Sequence, residues 1–309
     1  MPQFDVTIAG ELNLDLILYG LPEAILPERE SVAEKMTLAL GGSSAIMAHN
    51  LAALGSRVGF VACIGAGANG KFALDQLSAA GVDVQQVVLQ PEAQTGVSVI
   101  LQHKDWRSIL TYPGTTFDLT MESVPLDYVS NSRHFHLSSF YLQQGLRPHM
   151  ADLCRQLKQH GLTISLDPND DPEDRWQGEI EQVLPYVDIF LPNAREAKKI
   201  ARAESVEHAL SKLASTVPIV VVKLGAEGAI AEARGTRYAS PAKVVEPVDA
   251  VGAGDSFDAG FLNRFLSGDN IPDCLAAGNV AGALSTTRAG GTEAFRDPEY
   301  RNQFLRSHS

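Results

Sequence analysis

The chain has 309 residues, enough for one large α/β domain or two ordinary ones. Hydrophobic residues make up 45% and charged residues 20%, an ordinary globular balance, and a net charge of −12 argues against a nucleic-acid face, which needs clustered Lys and Arg. Cys63, Cys154 and Cys274 are too few and too scattered for a disulfide framework or a zinc site, no apolar run reaches membrane-spanning length, and Met-Pro-Gln-Phe-Asp enters a strand without a signal peptide, so the expectation is a cytoplasmic α/β protein.

Phe4 to Ala9 is an apolar run ending in Gly10 and reads as a buried first strand. Asn13 and Asp15 then share one side of an extended segment by period two. They are either solvated strand-edge polarity or a hydroxyl-binding pair at the mouth of the sheet, where open parallel sheets bind ligands. Gly41-Gly42-Ser43-Ser44 leads into a helix over 45–54 that Gly55 stops. The two glycines are either a plain strand-to-helix turn or a place where backbone approaches a ligand.

A strand over 57–64 is followed by Gly65-Ala66-Gly67-Ala68-Asn69-Gly70-Lys71-Phe72 and a helix to Ala80. Gly65, Gly67 and Gly70 match the G-x-G-x-x-G dinucleotide pattern, which raises a nicotinamide-dependent oxidoreductase as the rival reading. The acidic residue that should close the next strand is missing, because Asp83 comes too early and Glu92 lies in a loop. A P-loop fails on chemistry, since Phe72 stands where magnesium needs Ser or Thr. Residues 95–113 read as a hairpin turning at His103-Lys104-Asp105.

From Arg133 the pattern is α/β again, with strands at 134–137, 162–167, 187–191 and 218–222 and a helix over 144–160. Asn193 and Glu196 open a helix at the spacing of a capping box. Lys223-Leu224-Gly225-Ala226-Glu227-Gly228 is a glycine turn, and the last predicted helix, 271–288, carries Asn279 and ends at Ala289-Gly290-Gly291-Thr292. His134, His136 and His160 lack metal-ligand spacing and read as structural or exposed.

The most specific stretch is Val248-Asp249-Ala250-Val251-Gly252-Ala253-Gly254-Asp255-Ser256-Phe257-Asp258-Ala259-Gly260-Phe261. Small residues bring backbone close, and a helix begins whose free N–H groups favour an anion beside the Asp255 carboxylate. Taken alone, Gly-Ala-Gly-Asp also reads as a soft loop with an Asp cap. The whole stretch resembles the C-terminal signature of the ribokinase-like (PfkB) carbohydrate kinases. The Gly-Gly segment and Asn193-x-x-Glu196 occur in the family's order.

The resemblance implies a three-layer α/β sandwich with a mostly parallel central sheet. It also implies one domain over 1–309, with a small β-sheet lid inserted from about 14–20, 32–40 and 95–113. Lid-to-lid contact would give a homodimer. The implied activity is ATP- and Mg2+-dependent phosphorylation of a sugar hydroxyl, with a nucleoside kinase of the same family as the alternative. Asp255 would be the general base, and the N–H groups of Gly252, Ala253, Gly254 and Asp255 the anion hole. Asn13, Asp15, Gly41, Gly42 and Asn50 would meet the acceptor. Asn193, Lys223, Gly225, Gly228 and Asn279 would lie on the nucleotide side, with Glu196 reaching Mg2+ through water. Asp249 and Val251, with carbonyls after the 271–288 helix, would hold a monovalent cation such as K+, as in many members. Two positions depart from the family, Ile46 in place of a sugar-binding Asn and Gly67 in place of a common Asp, and Ser43 and Ser44 stand where sugar-phosphate kinases carry a Lys. Ile46 is expected to make ribose and fructose poor acceptors, and the two serines favour a neutral or nucleoside acceptor.

Overall fold

The computed structural model describes residues 2–103 and 106–308. In chain order the elements are β1 (Phe4–Ala9), β2 (Asn13–Tyr19), β3 (Lys35–Gly41), α1 (Ser43–Ala53), β4 (Val58–Gly65), α2 (Ala68–Ala79), β5 (Asp83–Gln90), β6 (Val97–Gln102), β7 (Arg107–Tyr112), α3 (Leu126–Ser130), β8 (Ser132–Leu137) and α4 (Met150–Gln159). There follow β9 (Thr163–Leu166), α5 (Glu179–Val183), β10 (Ile189–Phe190), α6 (Ala194–Ala201), α7 (Val206–Ala214), β11 (Ile219–Lys223), β12 (Ala229–Ala233), β13 (Thr236–Ser240), α8 (Ala253–Ser267), α9 (Ile271–Thr286) and α10 (Pro298–His308).

The large sheet runs β13-β12-β11-β10-β9-β8-β1-β4-β5, and only β12 and β13 enter it antiparallel. Its strands are apolar on both sides because helices cover both faces. One face packs against α4, α5, α6 and α7 through Leu153, Ile180, Ala197 and Leu210. The other packs against α1, α2, α8 and α9 through Met47, Leu77, Phe261 and Leu275. This is the three-layer arrangement the resemblance implies. Strand order reverses at β1, so the crevice beyond the carboxyl ends of β1 and β8 is the place such a sheet offers a ligand.

A second sheet, β3-β2-β6-β7, stands over that crevice. In it β2 pairs β3 and β7 pairs β6 antiparallel, while β2 pairs β6 parallel. One face leaves Met36, Leu38, Leu110 and Tyr112 exposed, while Ile109 lies on the other face with Ile17 and Ile100. Part of the expected turn at His103-Lys104-Asp105 lies outside the described residues.

Several elements differ from the sequence reading: the helix expected over 144–160 spans only Met150–Gln159, and α3, α5 and α7 were not expected. The helix at 271–286 is not the last, since α10 follows and docks Phe304 beside Phe295 and Leu284. The β12–β13 hairpin, absent from that reading, adds two antiparallel strands to the sheet edge. Its short alternating segments carry little periodicity of their own. Among the described residues no helix is long and apolar enough to cross a membrane.

Candidate active site

The chemistry-bearing side chains gather where the parallel strands end. Gly252 adopts φ 70°, ψ 8° and caps α8, a left-handed turn that strains any residue with a Cβ. A methyl group there would also lie 2.6 Å from Gly291 Cα. Asp255 is the third residue of the helix and is buried, with 7% exposure. Burial first, then the negative charge of Asp167, push its carboxyl up to about 7, while Lys223 and a hydrogen bond from Ser43 pull the other way. The first N–H groups of a helix lack intrahelical partners, which leaves those of Gly254 and Asp255 for an anion. The Ala253 N–H turns back to the Ala250 carbonyl at 3.4 Å, so its part in an anion hole is weaker than the sequence suggested.

Lys223 differs from its sequence assignment. It ends β11, and its Nζ lies 2.7 Å from Asp167 Oδ2 and 3.2 Å from Asp258 Oδ2. A Cβ on Gly254 would be only 3.5 Å from Nζ, so the ammonium sits directly under the turn that opens α8 and not on an open loop. Burial works against its charge, but Asp167 and Asp258 more than reverse that and raise its pKa. Burial pushes the Asp258 carboxyl well above its ordinary value, and Asp167 is kept below its ordinary value by Lys223 despite burial. Asp167 and Asp258 were not singled out from the sequence. The available signals were Asp167-Pro-Asn at a strand end and Asp258 three residues after Asp255, on the same helical face.

On the acceptor side, Asn13 and Asp15 open β2, and both are buried. Thr116 Oγ1 donates to Asn13 Oδ1 at 2.8 Å. Burial, then the charges of Asp255 and Asp249, raise Asp15 to about 8. A Cβ on Gly41 would lie 2.3 Å from Asp15 Oδ1, so Gly41 makes room for that carboxyl. Gly42, at φ 85°, turns the chain into α1. Glu11 takes the head of that helix: it accepts from Ser44 N at 3.1 Å, Ser44 Oγ at 2.7 Å and Ser139 Oγ at 2.6 Å. Asn169 Nδ2 reaches Ser43 Oγ at 3.0 Å. Glu11, Ser139 and Asn169 went unnoticed in the sequence because three separate strand ends bring them together.

Asn50 is corrected outright. Its side chain is fully buried, donates to Ser256 Oγ and to the Gly291 carbonyl, each at 2.9 Å, and meets His49 Nδ1 at 2.9 Å. Ser256 Oγ in turn donates to the Gly252 carbonyl at 2.7 Å. Asn50 therefore braces the turn from behind and presents nothing to an acceptor. Its neighbour His49 is also buried, and burial pushes it down to about 4. Ile46 is also a packing residue. At 3% exposure its branches contact the Gly252 and Gly291 turns, where added methyl groups would meet them at 3.2 and 2.8 Å.

On the nucleotide side, Asn193 and Glu196 form a full capping box on α6, with Asn193 Oδ1 accepting from Arg195 N and Glu196 N. Both Glu196 oxygens accept from Asn193, and burial, then Asp167, raise Glu196 to about 7. Such a carboxyl fits a hydrated magnesium ion met through water, not direct ligation. Gly225 has φ 61° with open space beside it. Gly228 instead packs, because a Cβ there would lie 2.1 Å from the Ser240 carbonyl. Asn279 donates to Ser240 O and Oγ, each at 3.0 Å, joining α9 to β13.

Gly65 and Gly70, the core of the dinucleotide-like pattern, are tightly packed together: a Cβ on Gly70 would lie 1.8 Å from the Gly65 carbonyl. The pattern is thus a strand-to-helix packing device. His134 and His136 form a buried chain with Ser165, whose Oγ is 2.7 Å from each ring, and burial pushes them down to about 3 and 4.

The sequence pattern of the pfkB family carbohydrate kinases matches residues 3–298. The chain belongs to this family. The ATP-dependent ribose-1-phosphate kinase of Halopiger xanaduensis is 32% identical over 293 residues, covering 94% of each protein. A probable sugar kinase from Rhizobium etli superposes with a TM-score of 0.86 at 26% identity, over 98% of this chain and all of that one. A ribokinase II from E. coli, described as putative and solved with ATP and Mg2+, gives a TM-score of 0.86 at 23% identity over 99% of this chain and all of that one, which speaks for the fold. Family membership leaves no place for the oxidoreductase reading.

Proposed function

We propose that this pfkB-family kinase transfers the γ-phosphoryl group of ATP to a hydroxyl of a neutral sugar or nucleoside. The observation that carries this is Asp255, a buried carboxyl at the head of α8, titrating about 7 beside free helix N–H groups. A base with a pKa near working pH is both ionised and able to take a proton. In the step, the acceptor oxygen forms a bond to γ-phosphorus, the bridging bond to the β-phosphate breaks, and the hydroxyl proton passes to Asp255. The Gly252, Gly254 and Asp255 N–H groups stabilise charge on the transferring group, with Ala253 a lesser donor. Magnesium, when bound to the phosphates, neutralises their charge, and Glu196 would meet it through water.

Asn13 and Asp15 would hold acceptor hydroxyls. The neutral-acceptor reading rests on Glu11, whose carboxylate already fills the N-terminus of α1, where a second phosphate would otherwise find N–H donors. The small sheet would act as a lid that excludes water. Its exposed Met36, Leu38, Leu110 and Tyr112, all on one face, suit a homodimer made lid to lid. A cytoplasmic location, where ATP is supplied, goes with this reading.

A second reading has its own support. The Halopiger relative is named for a phosphorylated ribose, and the charge of Arg107 on β7 reaches Asp15, so a lid arginine could face an anionic sugar. A panel of pentoses, hexoses, nucleosides and sugar phosphates, read by coupled ADP formation, tests both. Turnover of neutral acceptors, lost by about 10²–10⁴-fold in Asp255→Asn, is expected. Preference for a sugar phosphate, abolished by Arg107→Ala, would replace the neutral-acceptor reading, and an active Asp255→Asn would remove the base.

A further inference from the structure

The loop entering α8 is organised around Asp249, whose two carboxyl oxygens, like the nearby Thr286 and Gly291 carbonyls, already accept hydrogen bonds. Asp249 Oδ1 accepts from Val251 N at 2.8 Å. Asp249 Oδ2 accepts from Gly290 N at 3.1 Å and from the Tyr19 hydroxyl at 2.7 Å. The Thr286 carbonyl takes Val248 N at 2.7 Å and Asp249 N at 3.2 Å. The Gly291 carbonyl takes Asn50 Nδ2 at 2.9 Å, and Ser285 Oγ lies 3.5 Å from both it and the Val251 carbonyl. A cation replaces its hydration shell with several oxygens at once, and this set has its lone pairs directed at N–H and O–H groups instead.

Tyr19 is the unusual member. It comes from the end of β2, in the second sheet, 230 residues away in sequence. Its ring joins Ile17, Ile100 and Val251 in a small apolar cluster that shields the contact from water.

We infer that the Tyr19 hydroxyl takes the place of a monovalent cation on Asp249, so that this chain shapes its phosphoryl-binding turn without K+ or Na+ and ties that turn to the small sheet. Tyr19 is on this account a positioning residue. The kinetic part of the inference rests on the kinase reading; the binding part does not.

The test uses the full chain in choline chloride against KCl at equal ionic strength. Without any substrate, wild-type melting temperature should agree in the two salts, whereas Tyr19→Phe should melt higher in KCl. A cation at about 100 times its Kd would raise the melting temperature by roughly 5 °C. In turnover, wild type should respond to K+ by less than about twofold. Tyr19→Phe should lose about tenfold in kcat in choline, the scale of one hydrogen bond to a charged group, and K+ should restore part of it. A wild type stabilised or activated by K+ overturns the inference, and so does a Tyr19→Phe enzyme indistinguishable from wild type in both salts. If no acceptor is phosphorylated the kinase reading fails, and the wild-type melting comparison still decides the cation question even should the variant not fold.

Discussion

Lys223→Met is the perturbation that best tests how the site is held. Lys223 is the cation between two carboxyls that are 2% and 1% exposed, at 2.7 and 3.2 Å. Removing one partner of a buried pair costs about 3–5 kcal/mol, because the partner left behind is an unpaired buried charge. Burial drives the Asp258 carboxyl upward and it hydrogen-bonds Asp167, so after the change the two can share a proton, which points to the lower end, about 3 kcal/mol. For a chain of this size that is a melting-temperature loss of roughly 5 °C at neutral pH.

The loss has a pH sign. In wild type Asp167 lies below its ordinary value, so its pairing contributes stability above that value and loses it only in acid. In the variant burial alone acts, its folded pKa rises, and stability falls as pH climbs through the neutral range. The deficit should therefore be larger at pH 8 than at pH 5 in calorimetry. Lys223 also pulls the Asp255 carboxyl down, so the acid limb of kcat/KM should move to higher pH in the variant. An equal deficit at both pH values, with an unmoved acid limb, would refute the argument.

Other outcomes follow from the same geometry. Asp15 has a folded pKa of about 8 against an ordinary 3.8, raised by burial and then by Asp255 and Asp249. Its contribution to stability is therefore complete below about pH 4 and lost as pH rises through 8. Asp15→Asn should raise the melting temperature at pH 8.5 and hardly at pH 4.5, while weakening acceptor binding in calorimetry; a gain independent of pH would show that the carboxyl is not protonated in the fold. Ile46→Asn was expected from sequence to improve ribose and fructose turnover. Its contacts with the Gly252 and Gly291 turns instead predict a loss of about 1–3 kcal/mol for a buried unpaired amide, with kcat falling for every acceptor. Improved kcat/KM for ribose at unchanged stability would place the side chain in the acceptor pocket after all.

Much of this protein is written locally. Gly252 through Asp255 announce a helix head with close backbone because only small residues tolerate that turn, and the signal survives without any knowledge of neighbours. Asn193 and Glu196 form the capping box their spacing foretold. Alternation and helical periodicity likewise mark most strands and helices, since each element must turn an apolar face toward the core. The β12–β13 hairpin escaped because short segments carry too few periods.

What only the tertiary structure decided is which polar groups meet. Asn50 and Gly252 are 202 positions apart in the chain, yet Asn50 holds Ser256, which holds Gly252. Lys223 looked like part of a glycine turn until the ends of β9 and β11 and the face of α8 brought Asp167 and Asp258 onto its ammonium. Glu11 and Tyr19 carried no motif at all. A parallel sheet collects strand ends from distant parts of the chain along one edge, and a lone side chain there has no periodic neighbour to mark it. Periodicity records which face of an element is buried; it does not record which other element supplies the hydrogen bond.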